Sequence, residues 1–210
     1  MDGWGLAVLV LGLVRFVGKV VRQLFKRYTR SNDRGSLVKK SLFYISFLFM
    51  VVGCADSHNL QVSELTSNVK VLSTDSIYIA VSENGQYGSK NYIGSGDMLT
   101  QSIKASLMTK LDNVVVAKEH QTYSEALNYA KQNKFDYLVY PTILHWEDRA
   151  TEWSGIPDKL QVKISVTRIS DSTIIKSAVI NGKSGIFTFG GDHPQDLLPE
   201  AVNDYWQGIL

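Results

Sequence analysis

Apolar residues recur with a helical period in three stretches of the chain. They return every four positions over 99–111, which predicts a helix with one buried stripe. Ser95 or Asp97 is expected to cap its start. Residues 122–133 open with a T-x-x-E capping box and predict a second helix, and 194–210 predict a third.

Five other stretches have the composition or alternation of β-strands. Residues 160–169 nearly alternate between apolar and polar, which indicates a strand with one wet face. The stretch 114–118, whose first four residues are apolar, predicts a central strand covered on both faces. Pro141 indicates an edge position or a bulge, because proline cannot donate to the ladder. The five stretches are residues 76–82, 114–118, 135–146, 160–169 and 173–181.

The elements follow the order β-α-β-α-β-β-β-α. This order predicts a single α/β (α+β) domain over residues 69–210, with a mixed sheet, helices packed on it and a hydrophobic leader helix ahead of it. Residues 83–90 contain two glycines and are expected to be a loop. The polar segment 54–68 predicts a tether between the leader and the domain.

The leader has the layout of a bacterial lipoprotein signal. Lys39-Lys40 is followed by thirteen uncharged residues, 41–53, which is too short a stretch to span a bilayer comfortably. The segment ends VVGC, as in a lipobox, with Gly53 directly before Cys54. We therefore expect residues 38–53 to be a signal peptide that is cut between Gly53 and Cys54.

Cys54 is then the expected lipid anchor. Its thiol would take a diacylglyceryl group and its new amino group an acyl chain such as palmitate. At roughly 0.8 kcal/mol per buried methylene, these chains would anchor the protein permanently. Ala55 rather than Asp follows, which favours the periplasmic face of the outer membrane over the inner membrane. The alternative is an uncleaved membrane helix that ends in cysteine by chance.

Residues 1–37 fit two interpretations. Arg15, Lys19, Arg22 and Lys26 recur at helical spacing, a basic amphipathic pattern that suits an extra membrane-surface anchor. The other interpretation is that translation begins further downstream, close to the lysine pair of the signal. We favour the second, and the N-terminal mass of the unprocessed precursor distinguishes the two.

Charge divides the chain at the same place. Residues 1–53 hold nine of the 22 Lys and Arg and two of the 20 Asp and Glu, which leaves 13 basic and 18 acidic side chains for residues 54–210. Such an acidic domain lacks the basic surface that nucleic-acid binding needs.

The single cysteine forms no internal disulfide, and no Cys/His cluster has metal-ligand spacing. We expect no metal and no cofactor.

His145, Glu147 and Asp148 most resemble an acid–base set. On a strand, His145 and Glu147 share a face, as general acid–base catalysis or metal binding requires. A solvated strand end has the same composition, and the spacing places no third ligand. We therefore expect no catalytic residue and keep a periplasmic hydrolase as the alternative.

Four aromatic residues lie in or beside predicted loops, where aromatics often mark a partner contact. The alternative is that they pack over the sheet edge. A small ligand bound by the loops 83–96 and 145–158 is a further alternative. The four residues are Tyr87, Tyr92, Trp146 and Trp153.

Three blocks carry a family resemblance over roughly residues 70–210: SIYIAVSENGQYGS, YPTILHWEDRATEWSGIPDK and GDHPQDLL. They resemble a family of bacterial lipoproteins classified only as a domain of unknown function. The element order also resembles the α/β domain of the curli-secretion lipoprotein, the lipoprotein activators of penicillin-binding proteins, flagellar outer-membrane lipoproteins and the N-terminal domain of the Tol-system propeller protein. The resemblance implies a fold and an envelope address, and it supplies no catalytic residues.

Together these patterns predict a lipid-anchored envelope lipoprotein that is not an enzyme. We expect a binding module or an assembly factor, whose partner is another envelope protein or a second copy of the chain.

Overall fold

The computed structural model describes residues 56–66, 69–148, 156–185 and 193–210, all of which belong to one compact unit. Within these ranges the chain forms eight strands and three α-helices. The strands are β1 Ser57–Leu65, β2 Ser76–Val81, β3 Gly85–Tyr87, β4 Lys90–Tyr92, β5 Asn113–His120, β6 Tyr137–Glu147, β7 Lys159–Arg168 and β8 Thr173–Lys183. The helices are α1 Ser95–Leu107, α2 Tyr123–Gln132 and α3 Leu198–Tyr205, the last preceded by a 3-10 turn, Pro194–Leu197.

Four of the predicted features lie outside the described residues. They are the leader helix, the cleavage site at Gly53, the lipidation site at Cys54 and the aromatic contact at Trp153. Within the described part of the chain, no helix is both long and apolar enough to cross a membrane.

Six strands form one mixed sheet in the order β1-β8-β7-β6-β2-β5. β2 runs parallel to β5 and to β6, whereas the pairs β6–β7, β7–β8 and β8–β1 are antiparallel. The helices α1 and α2 connect the parallel strands, because parallel strands need a crossover of this length. The predicted mixed α/β sheet is confirmed.

Helices α1 and α3 cover one face of the sheet, here called the first face. Leu99 and Ile103 of α1 are fully buried in one cluster with Ile79 of β2 and Val139 of β6. Val202 of α3 joins the same cluster. Each fully buried side chain of this size stabilises the fold by roughly 1.5–3 kcal/mol.

The opposite, second face is divided. On the side of β2 and β6 it packs Ala126 and Ala130 of α2 against Tyr78 and Leu138. The small alanines let the helix approach the sheet closely. Toward β7, β8 and β1 the second face carries polar side chains instead.

The predicted tether is wrong for residues 57–65, which form β1. This strand pairs antiparallel with β8, from Ser57 opposite Lys183 to Leu65 opposite Lys176. Its polar composition is compatible with a strand because β1 is the last strand of the sheet, where one face is wet.

The prediction that 114–118 is a central strand is also wrong. β5 is the other edge of the sheet and pairs with β2. Its apolar side chains serve two clusters: Val114 and Val116 pack against the first-face core, and Ala117 belongs to the second-face core. Val115 is 44% exposed.

Pro141 is in an interior strand, so the predicted edge position is wrong. Its surroundings explain why proline is accepted. The pairing of β6 with β2 ends at Val139, so β2 loses no hydrogen bond at Pro141. The register of β6 and β7 then shifts between Ile143 and His145.

The predicted capping box of α2 is confirmed. The Thr122 hydroxyl accepts a hydrogen bond from the Glu125 backbone N–H, and the Glu125 carboxylate accepts one from the Thr122 N–H. The backbone N–H and the hydroxyl of Thr122 both donate to the Glu125 carboxylate, which lowers the pKa of that carboxyl. The expected loop 83–90 instead contains most of the small hairpin β3–β4.

Candidate functional site

A groove of about 610 Å³ lies on the second face, across β1, β8, β7 and β6. Its volume is within the range of about 300–1,000 Å³ that is typical of ligand sites. Side chains of alternate residues on each strand form its floor, because successive residues of a strand point to opposite faces. We call it the polar groove.

Two rows of directly opposite residues cross this part of the second face, and all of their members except Glu147 line the polar groove. The first row runs from strand to strand as Ser57, Lys183, Lys159 and Glu147. The second row runs in the same strand order as Asn59, Asn181, Gln161 and His145. The first row therefore carries the charges, and the second consists of three amides and an imidazole.

The first row carries two basic side chains and one acidic side chain. Lys159 and Lys183 are directly opposite each other and both are exposed. Glu147 at the end of the row is buried, with 3% of its side chain exposed. Lys163, two residues along β7 from the second row, adds a further exposed ammonium to this face. Three exposed ammonium groups thus lie on one face of a domain that is acidic as a whole.

His145 and Glu147 share a face of β6, as predicted, and meet at its end. The Nε2 atom of His145 lies 3.2 Å from Oε2 of Glu147. The Nζ atom of Lys159 lies 3.9 Å from the same oxygen, so the carboxylate links β6 to β7. This arrangement stabilises the strand end against the desolvation of a buried carboxylate.

Asp148 does not join this pair. Its Oδ1 lies 3.3 Å from Nδ1 of His193, at the start of the 3-10 turn. Its backbone N–H donates to the Tyr92 hydroxyl, which in turn donates to the Asp148 carbonyl. The three predicted acid–base residues are therefore divided between two contacts. Among the described residues no group of three or more His, Cys, Asp or Glu is placed to hold a metal ion.

The aromatic residues expected at a partner surface have three different positions. Trp146 is 2% exposed and belongs to the first-face core, so its prediction as a contact residue is wrong. It points inward because its neighbours His145 and Glu147 occupy the opposite face of β6. Tyr92 is half-buried and bonded to Asp148, whereas Tyr87 is 41% exposed with its ring 5.2 Å from the His145 ring.

Polar backbone groups of the loops at 83–96 form hydrogen bonds within the protein. Gly94, at a φ of 91°, is the N-cap of α1, and neither Ser95 nor Asp97 caps it as predicted. The Asn84 side-chain oxygen accepts hydrogen bonds from the N–H groups of Gly94 and Gly96. The helix start therefore has a protein acceptor for these donors, which a bound anion would have to displace.

Sequence reasoning missed most of the groove. The wet face of β7, with Lys159 and Gln161, followed from the alternation of residues 160–169. Asn59 was missed because β1 has the composition of a tether. Lys183 and Asn181 were missed because only the register of β8 brings them opposite β7 and β1.

The chain belongs to the DUF4823 family, whose model, described as a domain of unknown function, matches residues 69–209. This confirms the family resemblance that the three sequence blocks carry. A search of curated proteins gives no match. The broader resemblance to curli-secretion and penicillin-binding-protein-activator lipoproteins stays a prediction.

Solved structures share the fold at low sequence identity. A PelC dodecamer from Paraburkholderia phytofirmans is 12% identical, with a TM-score of 0.54 over 73% of this chain and 97% of that one. A PelC variant dodecamer from the same organism is 10% identical, with a TM-score of 0.51 over 73% and 96%. Lipoprotein GNA1162 from Neisseria meningitidis gives 0.43 at 12% identity over 62% and 94%, a score that is too low to carry an argument.

Proposed function

We propose that this member of the DUF4823 family is a lipid-anchored envelope lipoprotein that acts by binding rather than by catalysis. The observation that carries the proposal is the polar groove: four strands present hydrogen-bonding side chains to solvent, while the nearby candidates for acid–base chemistry are engaged in contacts between strands and turns. A binding surface needs such open groups, whereas a catalytic pair has to be directed at a substrate.

The proposed anchor places the groove close to a membrane. Cys54 is three residues before Ser57, the first residue of both β1 and the groove's first row. Three residues reach at most about 11 Å when fully extended. A lipid on Cys54 would therefore keep the groove near the membrane surface.

The anchor is tested by labelling cells with an alkyne analogue of palmitate. We expect label on the wild-type protein and none on Cys54→Ser. Ala55→Asp should move the labelled protein from outer- to inner-membrane fractions of a density gradient. Label retained by Cys54→Ser would contradict the anchor, and an unchanged distribution of Ala55→Asp would contradict the assignment to the outer membrane.

The binding role is tested in intact cells with a photo-crosslinking amino acid. It is placed at Gln161 in the groove and, as the control, at Gln101, which is exposed on α1. We expect a defined crosslinked species from position 161 that is absent from position 101. No crosslink from the groove, or the same species from both positions, would contradict a binding role for this face.

Self-association is the second candidate, because both edge strands of the sheet are open. No described strand pairs with the outer side of β1 or of β5, and strands exposed in this way are templates for pairing between chains. The PelC proteins that share the fold are dodecamers. A ring of copies could join β1 of one copy to β5 of the next, a head-to-tail contact that closes by rotation.

Mass photometry of the full-length protein in detergent tests the ring. If β5 takes part, Val115→Lys should reduce the oligomer to monomers, whereas Met108→Lys, at an exposed position after α1, should leave it intact. A wild-type protein that is monomeric at every concentration would contradict self-association while leaving the groove's binding role to the crosslinking experiment.

A further inference from the structure

The two lysines of the first row are expected to lower the stability of the sheet when no ligand is bound. Lys159 and Lys183 are directly opposite each other on neighbouring strands, and like charges in this position destabilise a sheet. Glu147 compensates Lys159 in part, from 3.9 Å. Within the described part of the chain, Lys183 pairs with no carboxylate. An anionic group held between the two ammonium groups would remove the repulsion.

The second row offers neutral hydrogen bonds next to that positive pair. The Nε2 group of Gln161 donates to Oδ1 of Asn181 at 2.6 Å, which fixes the orientation of both amides. This bond leaves the Gln161 oxygen as an acceptor and the two N–H groups of the Asn181 amide as donors. Asn59, which is exposed, adds one more amide on β1. Neighbouring donors and acceptors of this kind match groups that both donate and accept, such as hydroxyls.

Apolar surface lies at the β6 end of the rows. Leu144 lines the groove and is 49% exposed. The exposed ring of Tyr87 lies beside His145. A sugar ring has this combination of surfaces, because its hydroxyls point outward at the rim and its C–H groups form an apolar face.

We infer that the polar groove binds an acidic glycan. One carboxylate of the glycan lies between Lys159 and Lys183, and hydroxyl groups of the same or the next sugar bond to Asn59, Asn181 and Gln161. This inference rests on the proposed binding function and names the ligand class for the groove.

An acidic peptide fits the groove less well. Extended peptides gain their affinity by adding a strand to a sheet edge, where backbone groups are free. The floor of the groove consists of β7 and β8, which are paired with neighbouring strands on both sides, so their backbone groups are already used in the sheet. A glycan needs side-chain donors and acceptors, which are the groups that this face provides.

The test measures binding of defined oligomers to the mature lipoprotein in detergent by titration calorimetry. The probes are an oligogalacturonate, a neutral maltooligosaccharide of equal length and an oligoglutamate. We expect the oligogalacturonate to bind, with an affinity that falls as salt is raised, and the neutral sugar not to bind. Binding of the oligoglutamate with equal affinity would overturn the glycan assignment in favour of an acidic peptide.

Variants then locate the site. Lys159→Gln combined with Lys183→Gln should weaken oligogalacturonate binding at least about tenfold, because charged hydrogen bonds are lost. Asn181→Ala should weaken it about threefold to tenfold at unchanged salt dependence. The matched control, Lys110→Gln with Lys131→Gln, removes the same charge from exposed helix-side positions and should change the affinity less than about twofold.

Two results would overturn the inference. One is an equal loss of affinity in the control double variant, which would indicate a general charge effect. The other is no oligogalacturonate binding by a wild-type protein whose thermal unfolding is cooperative. Since the crosslinking experiment tests the binding role separately, a crosslink from Gln161 together with no glycan binding would reject the ligand class alone. Loss of both would reject the proposed function as well.

Discussion

At the scale of single residues, Lys176 is the most unusual side chain of the described core. It is 3% exposed, and its ammonium donates hydrogen bonds to the carbonyls of Tyr205 and Gln207, at the end of α3. It also lies over the Tyr205 ring, 4.9 Å from the centroid. A cation at a helix C-terminus satisfies carbonyls that have no partner inside the helix. Burial lowers the pKa of Lys176.

Replacing Lys176 by methionine removes these hydrogen bonds while keeping an apolar stem of similar length. We expect Lys176→Met to lower the free energy of unfolding by about 1–3 kcal/mol, because the buried carbonyl of Tyr205 and the partly buried carbonyl of Gln207 lose their donor. Urea unfolding followed by tryptophan fluorescence measures the change. Lys118→Met, at an exposed position of β5, is the control and should have little effect. Equal stability of Lys176→Met and wild type would contradict the role of Lys176 as a helix cap.

A second prediction at the scale of single residues concerns the stability of the fold at acidic pH. Arg168 and the Thr173 N–H donate to the Asp171 carboxylate at the β7–β8 turn, which lowers its pKa from 3.8 to about 2. Because the folded-state pKa is the lower one, the stabilisation is complete above pH 3.8 and is lost as the pH falls through about 2. Asp171→Asn should therefore be less stable than wild type at pH 5, and the difference should shrink toward pH 2. Urea midpoints across this range measure it.

The control for this pH effect is Asp112→Asn, at an exposed position before β5. The difference in urea midpoint between Asp112→Asn and wild type should not shrink in the same way as the pH falls from 5 to 2. A gap between Asp171→Asn and wild type that stays constant from pH 5 to pH 2 would show that the carboxylate does not act through its charge.

At the scale of elements, the start of α1 depends on one close approach. A Cβ atom on Gly96 would collide with the backbone carbonyl of Ser82, at the end of β2. The Asn84 side chain then binds the N–H groups of Gly94 and Gly96, and the Ser95 hydroxyl donates to Tyr92 and accepts from Gly85. The helix, the strand end and the β3–β4 hairpin are therefore held together at this point.

Gly96→Ala should separate these elements. The added methyl meets backbone atoms that cannot rotate away, so we expect a loss of about 1–3 kcal/mol in unfolding free energy. Differential scanning calorimetry of the variant measures the loss. Gln101→Ala, on the exposed side of the same helix, should be nearly neutral. A neutral Gly96→Ala would mean that α1 can move away from β2 at no cost.

Some of the helices and strands could be predicted from the sequence and others could not. The apolar periods of α1 and β7, the capping box of α2 and the strand composition of β6 and β8 located these elements, because each of these signals is local in the sequence. The edge strand β1 escaped detection because its hydrogen bonds to β8 join residues up to 126 positions apart and leave no local period. The groove was missed for the same reason, since its rows exist only across strands.

At the scale of the whole molecule, His58 fastens the edge strand to the helical layer. Its Nε2 lies 2.8 Å from the Asp204 carboxylate of α3. His58→Ala should speed hydrogen exchange of the β1 amides and leave those of β6 unchanged, because the contact holds one edge and not the core. Hydrogen-exchange mass spectrometry measures both. His120→Ala, whose ring lies 3.3 Å from Glu83 near β5 and β2, is the matched control. Faster exchange in β6 as well would indicate global destabilisation.

The position of β1 has a mechanical consequence. If the chain hangs from a lipid at Cys54, any pull on a ligand in the groove is carried to the membrane through Ser57 and the hydrogen bonds between β1 and β8. Where such a pull runs along β1, these bonds share the load in shear instead of opening one after another. The edge strand β1 would then be the element that bears the tension between the membrane and a ligand in the groove.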